Sequence, residues 1–228
     1  VIWRRLAAKH PDAVVANPAR HVWGAIAPGF LETVPLPALH AVLAQPDVPE
    51  LWVRWTLGQT GREYQRVKGA LGTNPKAPSW ALQELWEQDV LNSRCLASHP
   101  QTSDDLLETL AASADDYTRV CLARNPALPD DLMVRLTRDS CGAVRKRLAS
   151  NPGLAKEAKT ELLCDADWRI RRKLAERDDL QRPMTLLLLQ DDKPEVRAAV
   201  LARSKTLPLF HLRWHSELDV PSVRRAAR

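Results

Sequence analysis

The chain has 228 residues, 45% of them hydrophobic and 27% charged, with a formal net charge of +5. This composition supplies enough apolar material for a continuous core and excludes a disordered chain, and no apolar run approaches the ~18 residues of a membrane span, Met184–Leu189 falling far short. The charge is uneven: residues 1–114 hold 10 Lys and Arg against 11 Asp and Glu, while residues 115–228 hold 23 against 17, an asymmetry of the kind that marks an anionic partner.

Residues 1–62 are the least regular stretch. Val15-Ala16-Asn17-Pro18 and Leu43-Ala44-Gln45-Pro46 lie 28 residues apart, and a further 28 lead to Leu71-Gly72-Thr73-Asn74-Pro75. These read as drifted or capping units, because a terminal repeat must present a different outer face. Trp3, Trp23, Trp52 and Trp55 fall here and are expected to plug an irregular core.

From residue 63 onward the pattern tightens, and one regular array is expected over 63–228, continuous with residues 1–62. A signature Leu recurs at Leu71, Leu96, Leu122, Leu148, Leu174 and Leu201, in steps of 25, 26, 26, 26 and 27. A unit of about 26 residues holds two short helices and two turns. The first helix of a unit follows Asn-Pro: in Asn125-Pro126-Ala127-Leu128-Pro129-Asp130-Asp131-Leu132, Pro129 suits the first helical turn and the two Asp residues suit its positive end. Leu132 and Leu136 then share one face, as do Leu106 and Leu110, Ala158 and Leu162, and Met184 and Leu188, so this column is core. The second helix follows a recurrent Asp at Asp139, Asp165 and Asp191, placed to start the turn or cap the helix. Val144 with Leu148 and Ile170 with Leu174 point inward, and the Ala after each Leu permits close packing.

The pattern V-R-x-x-L-A-x-N-P-x-L-P-x-x-L-x-x-L-x-x-D, read from Val120–Asp139 and Val144–Pro152, resembles the leucine-rich repeat variant (LRV) family. The resemblance is strong over Leu71–Arg228 and weak over Val1–Arg62. It implies an all-α, right-handed α-solenoid, HEAT-like in general architecture, in which a long helix alternates with a shorter one. HEAT repeats themselves, with periods of ~40–47 residues, are too long. Some LRV proteins carry a cysteine-rich iron–sulfur module before the repeats; no cysteine precedes Cys95, so no cofactor is expected.

The four cysteines, Cys95, Cys121, Cys141 and Cys164, show no C-x-x-C spacing, and Cys95 and Cys121 each precede a signature Leu. They read as reduced, buried thiols of a cytoplasmic protein. The end at Arg228, inside a recognisable unit, raises the expectation of an excerpt from a longer chain.

Candidate chemistry centres on a basic column. Arg119, Arg145, Arg171 and Arg197 are 26 apart, with Arg224 one place later, and Lys146, Arg147, Arg172 and Lys173 thicken it. It serves either as an electrostatic groove for a polyanion or as a structural ladder paired with the equally periodic Asp column. Lys146, Arg147, Arg172 and Lys173 lack a periodic acidic partner and are the stronger partner-binding candidates. His211 and His215 have a metal-compatible spacing without a general base or third ligand, so no metal is expected. Asp104-Asp105, Asp130-Asp131 and Asp191-Asp192 recur at helix starts or turns, as capping residues do. No nucleophile motif or phosphate loop is present. The expected function is a non-enzymatic scaffold offering an extended helical surface to a protein partner; the alternatives are a nucleic-acid-binding solenoid and a repair-type enzyme built on helical repeats.

Overall fold

A computed structural model describes residues 2–17 and 29–203. It divides the chain into two compact units, Val1–Ala112 and Ser113–Arg228. The described residues form 16 helices and no strand, in agreement with the all-α expectation. Within each unit the helices pack against their neighbours in sequence order, as in a helical repeat.

The first unit contains α1 (Ile2–Lys9), α2 (Pro11–Val15), α3 (Phe30–Thr33), α4 (Leu36–Leu43), α5 (Glu50–Leu57), α6 (Arg62–Gly72), α7 (Ser79–Glu87), α8 (Ser93–Ser98) and α9 (Asp104–Ala111). Helix α4 lies between α2 and α6, while α5 packs on α6 and α7. Trp52 is fully buried with the edge of Phe30 at 6.4 Å, and half-buried Trp55 meets Tyr64 edge-on at 6.0 Å. Both rings fill irregular space, as the sequence led one to expect, whereas Trp23 lies outside the described residues. Trp80 is exposed and carries the Arg54 guanidinium 4.6 Å above its ring.

The second unit contains α10 (Asp116–Ala123), α11 (Asp130–Leu136), α12 (Gly142–Ala149), α13 (Lys156–Leu162), α14 (Trp168–Ala175), α15 (Arg182–Leu189) and α16 (Pro194–Arg203). Helices α10, α12, α14 and α16 stand side by side, and α11 packs beside α13 in a second row. The core lies between the rows. Leu132, Leu136, Ala158, Leu162, Met184 and Leu188 enter it from one side. Val144, Leu148, Ile170, Leu174, Val196 and Val200 enter from the other. The Ala after each signature Leu is fully buried at Ala123, Ala149 and Ala175. At the same register in the first unit Ala97 is likewise fully buried, whereas Gly72 packs so closely on Leu91 that an added Cβ would force that side chain to shift.

Two local expectations change. Pro129 sits at the N-cap of α11 in extended conformation (φ −59°, ψ 145°), one residue before the helix, as do Pro35, Pro49 and Pro78 before theirs. The ring fixes the φ that this entry needs, and the helix then opens on Asp130 and Asp131. The cysteines form no disulfide, but they are not buried: Cys95 and Cys164 are exposed, and Cys121 and Cys141 are half-buried. A residue just before the signature Leu is rotated about 100° from it, which carries Cys95 and Cys121 off the core stripe.

The Asn of Asn-Pro is a polar staple. Asn151 is buried and donates to the carbonyls of Ala123 at 3.0 Å and Asn125 at 2.7 Å, while its Oδ1 accepts the Gly153 N–H at 2.8 Å. Asn74 repeats this in the first unit, donating to Leu43 at 2.9 Å and Gln45 at 2.6 Å. Two other residue types occupy the same register. Arg177 donates to the carbonyls of Ala149 and Asn151, and is itself held by Asp179. Hydrogen bonds from Arg177 chiefly, with help from Lys159, keep the Asp179 carboxyl well below the usual carboxylate range despite burial.

His99 is the other substitute. Its Nε2 lies 2.8 Å from the Asn74 carbonyl, and Nδ1 accepts the Gln101 N–H at 3.1 Å. The acceptor on one side and the donor on the other require the neutral Nε2–H tautomer. Burial lowers the His99 pKa from its ordinary 6.5, although the carbonyl of Asn74 pulls the other way. A depressed folded pKa contributes stability that is present above the unfolded value and is lost as pH falls through the folded one. Melting curves of the first unit should therefore show a loss of stability below about pH 6.5 that His99→Asn removes. Equal acid sensitivity in the variant would refute this role.

Candidate functional site

The basic column of the second unit is built on Asp turns. The side chains of Asp139, Asp165 and Asp191 each accept the N–H two residues ahead, from Cys141 at 2.8 Å, Asp167 at 2.8 Å and Lys193 at 2.9 Å. Each turn presents its remaining carboxylate oxygen to an Arg 20 residues earlier in the chain. Arg119 Nε donates to Asp139 at 2.8 Å, Arg145 Nε to Asp165 at 2.7 Å and Arg171 Nε to Asp191 at 2.6 Å. Nη1 of each Arg reaches back six residues to a carbonyl, at Ser113, Asp139 and Asp165 respectively, always at 2.7 Å. An Arg thus joins two successive turns, and each Asp serves one Arg through its side chain and the next through its carbonyl.

The electrostatics follow from this geometry. The side chains of Asp139, Asp165 and Asp191 are 7%, 4% and 6% exposed, so each charge stands where removal of its partner is costly. Burial pushes the Asp139 and Asp191 carboxyls up, but hydrogen bonds from the Arg and the turn N–H outweigh it and hold both below the ordinary range. The guanidinium groups move the other way: the hydrogen bond to Asp165 raises the Arg145 pKa, and that to Asp191 raises that of Arg171. Arg197 makes the carbonyl contact to Asp191 at 2.6 Å, and its Nε is buried without a hydrogen bond. Arg224 lies outside the described residues, as do His211 and His215.

A neutral counterpart of this rung exists in the first unit. Lys68, buried in α6, donates to the Leu57 carbonyl at 3.0 Å and to Gln88 Oε1 at 2.5 Å. Gln88 is again 20 residues ahead. Desolvation lowers the Lys68 pKa, against the attraction of Glu84.

Beyond the ladder the remaining bases point elsewhere. Lys146 is exposed and Arg147 half-buried on α12, and among the described residues neither makes an ion pair. On α14, Lys173 Nζ is 2.8 Å from Glu176 and Arg172 Nε is 3.5 Å from it. Arg169 adds a further cation, stacked 5.0 Å over Trp168. The four bases singled out from the sequence thus lie on two helices, α12 and α14, that pack side by side, while Arg145 and Arg171 are engaged within the fold. The sequence places Lys68 near the upstream end of the basic column, but does not point to His99, Arg177 or Arg169. For His99 and Arg177 the available signal was register: each falls where Asn stands in other units.

No group of His, Cys, Asp or Glu among the described residues could hold a metal ion. None of the helices among them is long and apolar enough to cross a membrane. A cavity of about 360 Å³ in the first unit is lined by Leu36, Pro37, His40, Glu63, Arg66 and Val67. Compared with protein-family models and with curated proteins, the chain matches none.

Proposed function

We propose that this chain is a non-enzymatic α-solenoid scaffold of the LRV type, right-handed and built from two-helix units of about 26 residues, that binds a protein partner across the outward face of its second helices. The observation that carries the reading is the division of the bases. Arg119, Arg145 and Arg171 are closed on carboxylates within the fold, whereas Lys146, Arg147, Arg172 and Lys173 form a separate patch on two adjoining helices. Neutralising the ladder removes the long continuous stripe that a polynucleotide would follow, which favours a protein over the nucleic-acid alternative. The first-unit cavity holds a carboxylate and an imidazole but none of the aromatic rings an extruded base would stack on, so it adds nothing to the enzyme reading. The absence of a disulfide among the four cysteines supports a reducing, cytoplasmic setting.

The test is affinity capture with the native chain, a variant reversed at Lys146, Arg147, Arg172 and Lys173, and a control reversed at Asp105, Asp131 and Glu157 on the first helices. Nuclease-resistant protein retained by the native chain and the control but lost from the patch variant is the expected result. Equal retention by all three, or retention of nuclease-sensitive material alone, would overturn the reading.

A further inference from the structure

The patch on α12 and α14 has borders, and they constrain what it can hold. Residues three or four apart share a helix face, so the outward positions of neighbouring helices can be compared directly. Helix α12 offers Lys146 and Arg147, and α14 offers Arg169, Arg172 and Lys173. At the same register α10 presents Val120 and Cys121, and α16 presents Ala198 and Ala199, all half-buried. Among the described residues of α16, Glu195 is the one charged side chain that is exposed. Among the described helices the basic zone is therefore two helices wide, about 10 Å between axes, with half-buried Val120 and Cys121 at the equivalent positions on one side and Ala198 and Ala199 on the other.

Resting on the protein-binding reading above, we infer that the partner segment is a short acidic run flanked by apolar residues, laid across α12 and α14 in extended form. An extended chain rises about 3.3 Å per residue, so four or five acidic residues span both helices. Their carboxylates meet Lys146 and Arg147 at one end and Arg172 and Lys173 at the other. Glu176, which now neutralises Arg172 and Lys173, is the group the ligand displaces. Three helix spacings, about 30 Å, separate α10 from α16, so one apolar flank settles over Val120 and the other reaches only toward Ala198 and Ala199. A polynucleotide fits poorly, because its phosphates continue at every step and would run onto these apolar rungs and Glu195.

The experiment is fluorescence anisotropy on the full 228-residue chain. The probe is a labelled peptide, Ala-Leu-Glu-Asp-Glu-Glu-Leu-Ala, compared with the same peptide carrying Ser for Leu and with a single-stranded oligothymidylate of equal charge. Saturable peptide binding is expected, weakened about tenfold by Lys146→Glu with Arg172→Glu and several-fold by Val120→Ser or by loss of the Leu flanks. Circular dichroism checks that these surface variants stay folded. Absent peptide binding, binding indifferent to the charge reversals, or tighter binding of the oligonucleotide would each overturn the inference. If the peptide fails while protein capture still depends on the patch, the acidic ligand is wrong and the scaffold reading stands; if both fail, the scaffold reading falls as well.

Discussion

Asp165→Ala destabilises the second unit by about 3–5 kcal/mol, the range for removing one partner of a buried ion pair. Three losses coincide. The Arg145 guanidinium loses its Nε bond at 2.7 Å and its Nη2 bond at 3.3 Å. The N–H of Asp167 loses the acceptor that shapes the turn into α14. The charge left behind keeps only backbone acceptors, the carbonyls of Asp139 and Ser140. Because the Arg145 side chain is 17% exposed, water recovers part of the desolvation, and the lower end of the range is the expected value. Asp165→Ala with Arg145→Met removes the stranded charge and should be less destabilised than Asp165→Ala alone, since apolar replacement of a buried pair is often neutral or better. Urea unfolding of the single and double variants measures this. A cost under about 0.5 kcal/mol for the single variant would show that the rung is ornamental.

The effect should also be local. In a stack where each unit touches only its neighbours, breaking one rung loosens the two turns it joins before the whole. Hydrogen exchange should therefore accelerate first in α12 and α14, with α10 following less, because Asp139 still holds Arg119. Uniform acceleration along the unit would mean that the ladder acts as one cooperative strip.

The core and the ladder were unequally legible in the sequence. Apolar residues with helical spacing have one destination, so Leu132, Leu136, Val144 and Leu148 could be assigned inward and are buried. A periodic Arg is ambiguous, since its long stem serves a surface and an interior equally well. Matching periods in Arg and Asp made a pair legible, but not that each Arg uses the Asp of the following turn and the carbonyl of the preceding one. Backbone acceptors leave no mark in a sequence. For the same reason His99 and Arg177 look like defects in the Asn-Pro pattern, although they supply the donors that Asn supplies elsewhere. The cysteines failed for a simpler reason: proximity to a core Leu along the chain says nothing of the side of the helix, and one residue turns it away from the core.

Asn151→Ala carries the second large effect, a loss of about 2–3 kcal/mol, and it separates the polar staple from the packing around it. Asn151 is 1% exposed, so the carbonyls of Ala123 and Asn125 lose their side-chain donor where water is scarce. A buried polar group left without its partner costs about 1–3 kcal/mol, and the Ala123 carbonyl sets the scale, because that of Asn125 keeps the Leu128 N–H at 3.4 Å. The third bond matters less, because exposed Gly153 can offer its N–H to solvent. Asn151→Asp is the decisive comparison. It keeps nearly the same volume and the acceptor for Gly153, but turns a carboxylate toward two carbonyl oxygens. If Asn151 matters by filling space, Asp should be the milder change; if it matters by donating, Asp at neutral pH is worse than Ala. The geometry requires the second order, and chemical denaturation of the two variants at pH 7 decides between them.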